Sequence, residues 1–396
     1  MNNYTVKLSD KGTIAVDDTI LVKGAQTAAG SHILEGFKPL FSAEAVVRLE
    51  KAGYEMAGKT HVGEFGLDLV GEFSYYSEND NEETLKGAAA KAVASGEVKA
   101  ALGVDMNGAT RRAAALSGVD FLKPTYGTVS RYGIISCAAS GEQMGVYAGN
   151  VEGIKEVMDV IAGYDEKDGT CLREEKYDYS TELPISGKKV CMIKELMEKA
   201  DEETVARVNA YAEKLRAAGV IVEEISLNIF DVANTAWQIL MTAETCNNVS
   251  RYDGVKFGYR AAEYKNIDEL YVNTRTEGFN FLTKAVILYG SDVLSKNRYE
   301  DCYGKSLKVR RVIAEKFAEL MEQYDAVLTP VCSKSAYTAY EIDKAFGVVF
   351  EESVFTAVAN LIGVPALTSG GVQLMGKAFS ENVLLSLAGS AERAGK

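Results

Sequence analysis

The residues best suited to chemistry lie in one short turn, Met106-Asn107-Gly108-Ala109. An apolar run, Val98–Val104, precedes the turn and ends in Asp105, and its length and residue types predict a buried strand. The Ala-rich segment Thr110–Leu116 follows and predicts a helix. Asn and Gly tolerate the positive φ that a tight turn requires. Because the first N–H groups of a helix have no partner within it, this arrangement predicts a polar reaction centre at the turn.

The sequence around this turn resembles a known family. Residues 122–133 read LKPTYGTVSRYG, and together with the turn they resemble the amidase signature family, most closely the A subunits of glutamyl-tRNA(Gln) amidotransferases. In that family the turn reads Asp-Thr-Gly-Gly-Ser-Ile-Arg, and its Ser is the acyl-accepting nucleophile. Asp105, Gly108 and Arg111 match this pattern without a gap. The nucleophile position, however, holds Ala109.

A lysine matches the position of the family's catalytic base. The segment GKTHVGEFG, residues 58–66, resembles the family's Gly-Lys-Thr-Asn-x-x-Glu-Phe, in which the Lys is the base, and this places Lys59 at the base position. Family chemistry needs that lysine neutral and desolvated. The alternative is that Lys59 pairs with a carboxylate or satisfies buried carbonyls, since buried lysines are rare unless paired. The family's Lys-Asp-Asn after the early strand is replaced by Val16-Asp17-Asp18.

The serine that relays the proton in the family is also missing. Its position is taken by Leu85, at the end of the polar stretch Gly71–Lys86, which is typical of a solvated loop. The oxyanion turn survives only in part, as Met106, Asn107 and Gly108. Alanine cannot attack an amide and leucine cannot pass a proton, so the resemblance implies an inherited scaffold without its catalytic serines.

No other residue is an evident substitute. Thr110 lies one step along the helix, and the rotation of about 100° per residue should point its hydroxyl elsewhere. Ser117 is interpreted as a packed or capping hydroxyl, and His61 is assigned no role. A rebuilt relay needs a nucleophile, a base and an orienting group within hydrogen-bond reach, and the sequence indicates no such set.

The resemblance extends to residues that hold glutamine in the A subunits. There, an Arg and an Asp grip the substrate's carboxylate and amine. Arg310, in the segment KSLKVRRVI, matches the Arg, whereas Ser353 stands at the Asp position. Tyr259 matches a Tyr that lines the same pocket. One end of a glutamine clamp is therefore predicted to persist, although a surface role for Arg310 remains the alternative.

Composition limits the classes of function. The chain has 396 residues, is 47% hydrophobic and 25% charged, and carries a formal net charge of −13. This charge argues against direct binding of nucleic acid. No apolar run approaches a membrane span and no signal peptide is evident, so we expect a cytoplasmic protein. The six cysteines have no paired spacing and only two histidines accompany them, which favours free thiols over disulfides or a metal site. We expect no cofactor.

Strand and helix signals alternate along the chain, which predicts an α/β fold in layers. Val151–Ile161 predicts a helix and Lys189–Ile193 a strand, while Ser42 and Asp201 are placed to cap helices. The resemblance implies the amidase signature fold, layered α/β/α with a large mixed central sheet, as one domain over residues 1–396. The family's elements before the early loop are absent from the sequence, so we expect an N-terminally truncated version.

Three functions follow from these observations. The first is a catalytically silent homologue of the amidotransferase A subunit that binds a partner, either another amidotransferase subunit or a paralogous A subunit, or binds a small amide. The second is an active glutamine amidohydrolase that supplies ammonia for converting Glu-tRNA(Gln) to Gln-tRNA(Gln). The third is a glutamine or amide sensor. The loss of both serines favours the first, although a fold alone does not establish a function.

Overall fold

One mixed β-sheet runs through the molecule. The computed structural model describes residues 3–76, 84–173 and 177–394. The strands are β1 (Tyr4–Lys7), β2 (Ile14–Asp17), β3 (Met56–Thr60), β4 (Ala100–Asp105), β5 (Asp120–Lys123), β6 (Gln143–Ala148), β7 (Lys189–Ile193), β8 (Ile221–Ile225), β9 (Ala326–Pro330), β10 (Ala366–Ser369) and β11 (Val372–Met375). They form a single sheet in the order β1-β3-β2-β4-β6-β5-β10-β11-β9-β7-β8. Parallel pairs lie at β3-β2-β4 and at β9-β7-β8, and the remaining pairs are antiparallel.

Helices connect most of the strands. They are α1 (Glu44–Lys51), α2 (Ala88–Ala94), α3 (Ala109–Ser117), α4 (Val151–Ile161), α5 (Lys194–Met197), α6 (Glu202–Ala217), α7 (Phe230–Val249), α8 (Ile267–Gly278), α9 (Phe281–Val293), α10 (Lys305–Leu320), α11 (Ala345–Glu352), α12 (Ala357–Ile362) and α13 (Glu381–Ala394). Short 3-10 turns occur at His32–Leu34, Glu64–Gly66, Ile342–Lys344 and Ser353–Phe355, and a π-helical turn precedes α10 at Tyr299–Gly304.

Helices cover both faces of the sheet and give the fold three layers. Successive strand residues point to opposite faces. On β2, Val16 belongs to a core shared with α1, α4, α6 and α13, whereas Ala15 belongs to a core shared with α2 and α3. On β7, Val190 joins the first core, and Cys191 faces α7, α9, α10 and α12. The α/β/α layering around a large mixed sheet confirms the predicted fold class.

The parallel strands β3, β2 and β4 bring the predicted catalytic segments together at their carboxyl ends. Val16 of β2 lies opposite Lys59 of β3 on one side and Leu102 of β4 on the other. The three strands run in the same direction, and the N–H of Val104 on β4 donates to the carboxylate of Asp17 on β2 at 2.7 Å. Lys59, Asp18 and the turn after β4 therefore lie at the carboxyl ends of neighbouring strands.

Several predicted elements have the predicted bounds, and one cap does not. The helix Val151–Ile161 and the strand Lys189–Ile193 are confirmed. Asp201 caps α6 by accepting from the backbone N–H of Thr204. The prediction that Ser42 caps α1 is wrong, because α1 begins after Ala43 and the Ser42 hydroxyl accepts from the N–H of Lys23 instead.

Candidate functional site

The turn after β4 has the backbone that a reaction centre would need. Gly108 adopts φ 84° as the N-cap of α3, and no side chain caps this helix. A Cβ on Gly108 would lie 2.4 Å from Thr356, so both conformation and space require glycine. Ala109 is the first residue of α3 and is half-buried. A methyl group therefore stands at the position that the resemblance aligns with the family's nucleophile.

A buried network of hydrogen bonds holds the turn in place. Arg111 donates to both carboxylate oxygens of Asp105, at 2.9 and 3.0 Å, and Asn360 donates to the same carboxylate at 2.8 Å. Burial alone would raise the pKa of Asp105, but Arg111 and these hydrogen bonds hold it below its usual range. The hydroxyl of Thr110 also donates to Asp105, at 2.5 Å. Thr110 is thus committed to the network and does not face a substrate.

Asn107 joins the turn to α7. Its Oδ1 accepts from the indole N–H of Trp237 at 3.1 Å and from Gln238 at 3.5 Å, and its backbone carbonyl accepts from Thr356 at 3.1 Å. The indole can only donate, so the oxygen of the Asn107 amide must face Trp237. The side chain is fully buried, and its Nδ2 has no hydrogen-bond partner among the described residues. Because the aligned family turn has glycine here, Asn107 fills space that a glycine would leave open.

Lys59 lies in a buried ion pair. Its Nζ is 3.0 Å from Oδ1 of Asp18, and both side chains are at most 1% exposed. Asp18 also accepts from the N–H of Ala28 at 3.1 Å, which ties the loop after β2 to the pair. Burial lowers the pKa of Lys59, while the charges of Asp18 and Asp17 oppose that shift. The two interpretations offered by the sequence each have one of their features here: a carboxylate beside Lys59, and burial that lowers the pKa of Lys59.

A hydroxyl also lies beside Lys59, which the sequence did not indicate. Thr27 accepts a hydrogen bond from the ammonium and donates to the carbonyl of Ala25 at 3.2 Å. Thr27 was not among the residues that the sequence singled out as a possible substitute for the missing serines. Thr27 is fully buried and belongs to the loop after β2, not to α3. Its proton is engaged by the Ala25 carbonyl and one of its two lone pairs by Lys59.

Leu85, which the resemblance aligns with the relay serine, lies in an apolar environment. Leu85 is buried in the core that α2 and α3 share, beside Leu69 and Val70. Its backbone N–H donates to the carbonyl of Tyr337 at 2.7 Å. Residues 77–83 of the preceding polar loop lie outside the described residues. Nothing in the Leu85 side chain can carry a proton between Lys59 and the turn.

The three residues aligned with the glutamine clamp bind to three different segments. Arg310 donates from Nη2 to the carbonyl of Ser140 at 3.2 Å. Ser353 is fully buried and donates to the carbonyl of Val349, one helical turn earlier, at 2.6 Å. Tyr259 donates to Glu277, which raises the pKa of the Tyr259 hydroxyl, and its ring packs on His32. The described contacts do not gather these side chains around one ligand.

Glu64 is a further buried carboxyl near this edge that the sequence did not single out. It accepts from the hydroxyl of Ser31 at 2.5 Å and from the N–H of Asn280 at 2.9 Å. Burial raises its pKa to about 7, and these hydrogen bonds oppose the shift. Its partners come from distant parts of the chain, so only the aligned Glu-Phe motif could have drawn attention to it. In contrast, the sequence did carry a signal for the ion pair, because Asp18 stands where the family has an Asn.

Comparisons with known proteins agree with the sequence resemblance. The model of the family described as Amidase matches residues 13–385. The A subunit of glutamyl-tRNA(Gln) amidotransferase from Lactobacillus johnsonii is 36% identical over 401 residues, covering 97% of this chain and 84% of that protein. Its counterpart from Lachnoclostridium phytofermentans is 36% identical over 409 residues, with coverages of 96% and 82%.

Solved structures show the same relationship. The A subunit of the amidotransferase from Thermotoga maritima superposes with a TM-score of 0.80 at 30% identity and covers 98% of this chain and 84% of its own. 6-Aminohexanoate cyclic dimer hydrolase, at 19% identity, shares the fold with a TM-score of 0.82, covering 100% of this chain and 90% of its own. Within the described ranges no group of three or more His, Cys, Asp or Glu side chains is placed to hold a metal, and no helix is both long and apolar enough to span a bilayer. This chain belongs to the amidase signature family.

Proposed function

We propose that this chain is a catalytically silent member of the family, related to the amidotransferase A subunits, and that it acts by binding a partner subunit or a small amide. The observation that carries the proposal is Ala109 at the start of α3. The turn, its left-handed glycine and the Asp105–Arg111 pair behind it are all present. The atom that would attack a carbonyl is absent.

Other residues of the candidate site support catalytic inactivity independently of Ala109. Lys59 is held by Asp18 at 3.0 Å, so its proton is stabilised by a carboxylate as well as by Thr27. In related catalytic systems, loss of members of the catalytic unit costs several powers of ten in rate. Here the nucleophile and the relay are both replaced by hydrocarbon side chains. Asn107 further fills the turn and ties it to Trp237.

One observation favours a second candidate, an active amidohydrolase with a rearranged site. The Thr27 hydroxyl accepts from Lys59, and burial lowers the pKa of that lysine. A neutral Lys59 could in principle take the Thr27 proton, which is the chemistry of an activated nucleophile. Against it, Thr27 is fully buried and already donates to Ala25. The silent function is therefore the one we propose.

An ammonia-release assay separates the two candidates. Purified chain is incubated with glutamine, alone and with the other subunits of an amidotransferase, and the Lactobacillus johnsonii relative serves as a reference protein. We expect no release above the rate without protein. Turnover that disappears in Lys59→Ala would defeat the silent function. Thermal stabilisation by glutamine that is lost in Arg310→Ala would instead indicate a sensor.

A further inference from the structure

Two loops pack together, and one of them adjoins the loop that carries Thr27, because the N–H of Thr27 donates to the carbonyl of Phe37 at 3.0 Å. Residues 33–42 begin within the first 3-10 turn, and residues 251–260 follow α7. The N–H of Tyr259 donates to the carbonyl of Ile33 at 3.0 Å, and the rings of Phe37 and Phe257 lie 5.5 Å apart. Gly258 has φ +79°, and a Cβ there would lie 2.2 Å from the Ile33 carbonyl oxygen. The close backbone approach fixes the two loops against each other.

This surface exposes large apolar side chains. Leu40 is 87% exposed, and Phe41, Val255 and Phe257 are each 40–42% exposed. Phe41 is held in place because its ring stacks on Tyr132 at 5.0 Å. Scattered single apolar residues on a surface are ordinary, whereas a group of them on two packed loops is typical of an interaction site.

The charge of the same surface is opposite to that of the whole chain. The two loops contain four basic residues and two acidic ones, while the chain carries −13. Lys38 and Lys256 lie within the loops, and Lys23 is joined to them because its N–H donates to Ser42 at 3.0 Å. All three lysines are exposed, and none forms an ion pair with a carboxylate in the part of the chain that the structure describes. We call Lys23, Lys38, Leu40, Phe41, Val255, Lys256 and Phe257 the basic-apolar patch.

We propose that the basic-apolar patch binds an acidic segment of a partner protein that presents one or two apolar side chains. The apolar centre provides a surface to be covered, and the lysines at its rim select negative charge and steer its approach. A long polyanion such as RNA would be repelled by the rest of a chain at −13, whereas a short acidic segment meets only the patch. This proposal rests on the proposed binding of a partner and adds its place and chemistry, because the patch includes neither the turn nor Lys59.

Site-specific photo-crosslinking in cells tests the proposal. A benzophenone amino acid replaces Phe257, and the matched control replaces Phe379, which is 54% exposed elsewhere on the molecule. We expect a protein adduct at position 257 whose crosslinked peptide is acidic and contains an apolar residue at the point of attachment. An RNA or lipid adduct, a basic peptide, a second copy of this chain, or no adduct above the control would each overturn the proposal.

Binding of a defined probe measures the charge requirement. The probe is a fluorescent synthetic peptide rich in Glu with two Leu residues, and a Lys-for-Glu version is its control. We expect Lys38→Glu with Lys256→Glu to weaken binding at least about tenfold, equivalent to about 1.4 kcal/mol. Lys51→Glu with Lys214→Glu changes the net charge equally but lies outside the patch, and should leave binding unchanged.

The apolar requirement is measured in the same way. Leu40→Ser should weaken binding of the Glu-rich peptide, whereas Leu288→Ser, on a highly exposed α9 residue, should not. Equal effects of patch and control variants would overturn the proposal. The ammonia-release assay on the same variants reports on catalytic silence separately, so failure of one proposal can be told from failure of the other.

Discussion

The Lys59–Asp18 pair allows a quantitative test of how Lys59, which the resemblance aligns with the family's base, contributes to stability. Both side chains are buried, with Nζ and Oδ1 3.0 Å apart. Removing one member of a buried pair leaves the other charge without its partner and costs roughly 3–5 kcal/mol. We expect Lys59→Met and Asp18→Asn each to lower the free energy of unfolding by about 3 kcal/mol. The double variant should lose much less than the sum, because it leaves no unpaired charge.

Urea unfolding followed by tryptophan fluorescence measures these changes. Trp237 is the only tryptophan and is fully buried, so its emission reports on the core beside the turn. A chain of this size should have a slope of at least about 3 kcal/mol per M urea, so a loss of about 3 kcal/mol lowers the midpoint by about 1 M or less. The control pair is Lys155 and Asp159, an exposed i,i+4 pair on α4. Its coupling should be about 0.3–0.5 kcal/mol. Additive losses at Lys59 and Asp18 would refute the reasoning, since they would mean that the carboxylate does not hold the ammonium.

Three further predictions concern other buried polar groups. Asn107→Gly removes the acceptor for the Trp237 indole, so it should shift the tryptophan emission and cost about 1–2 kcal/mol without creating amidase activity, as fluorescence and ammonia assays can check. Burial, with the charge of Arg111, lowers the pKa of Lys123 from 10.5 to about 7. Between these two pH values the unfolded chain binds more protons than the folded chain, so the free energy of unfolding rises with pH. Lys123→Met should remove this pH dependence and stabilise the protein at pH 7 by up to about 4 kcal/mol. Urea unfolding at several pH values measures both effects. Burial raises the pKa of Glu64 from 4.5 to about 7, so stability should fall as pH rises between these values, and Glu64→Gln should flatten that dependence in thermal unfolding.

The elements that the sequence predicted well are those whose signals are local. The apolar stripe of Val151–Ile161 and the short apolar run of Lys189–Ile193 each identify an element without reference to the rest of the chain. Ser42 shows the limit of this reasoning. A serine suits a helix cap, but the hydroxyl oxygen of Ser42 accepts a hydrogen bond from the backbone N–H of Lys23, which is nearby only in the folded chain. Tertiary contacts of this kind carry no local signal.

The residues of the candidate site also differ in whether the sequence alone could predict them. The resemblance aligns Ala109 and Leu85 with the family's catalytic serines, and a missing hydroxyl needs no geometry to be recognised. The contact between Thr27 and Lys59 could not be predicted from the sequence, since it depends on how a loop folds over the end of β3. The order of the eleven strands was likewise implied by the resemblance and not by any pattern within the chain. Asp18 lies between these cases, because the sequence shows that it replaces the family's Asn but does not show that it pairs with Lys59.

We propose that no group in the part of the chain that the structure describes attacks an amide carbonyl. The most direct measurement is intact-mass spectrometry of the protein after acid quench during incubation with glutamine, with ammonia release recorded in parallel. The account predicts an unmodified mass and no ammonia above the rate without protein, for the wild-type chain and for Thr27→Val alike. A glutamyl adduct mapped to Thr27 and lost in Thr27→Val, or ammonia release that this substitution abolishes, would contradict it.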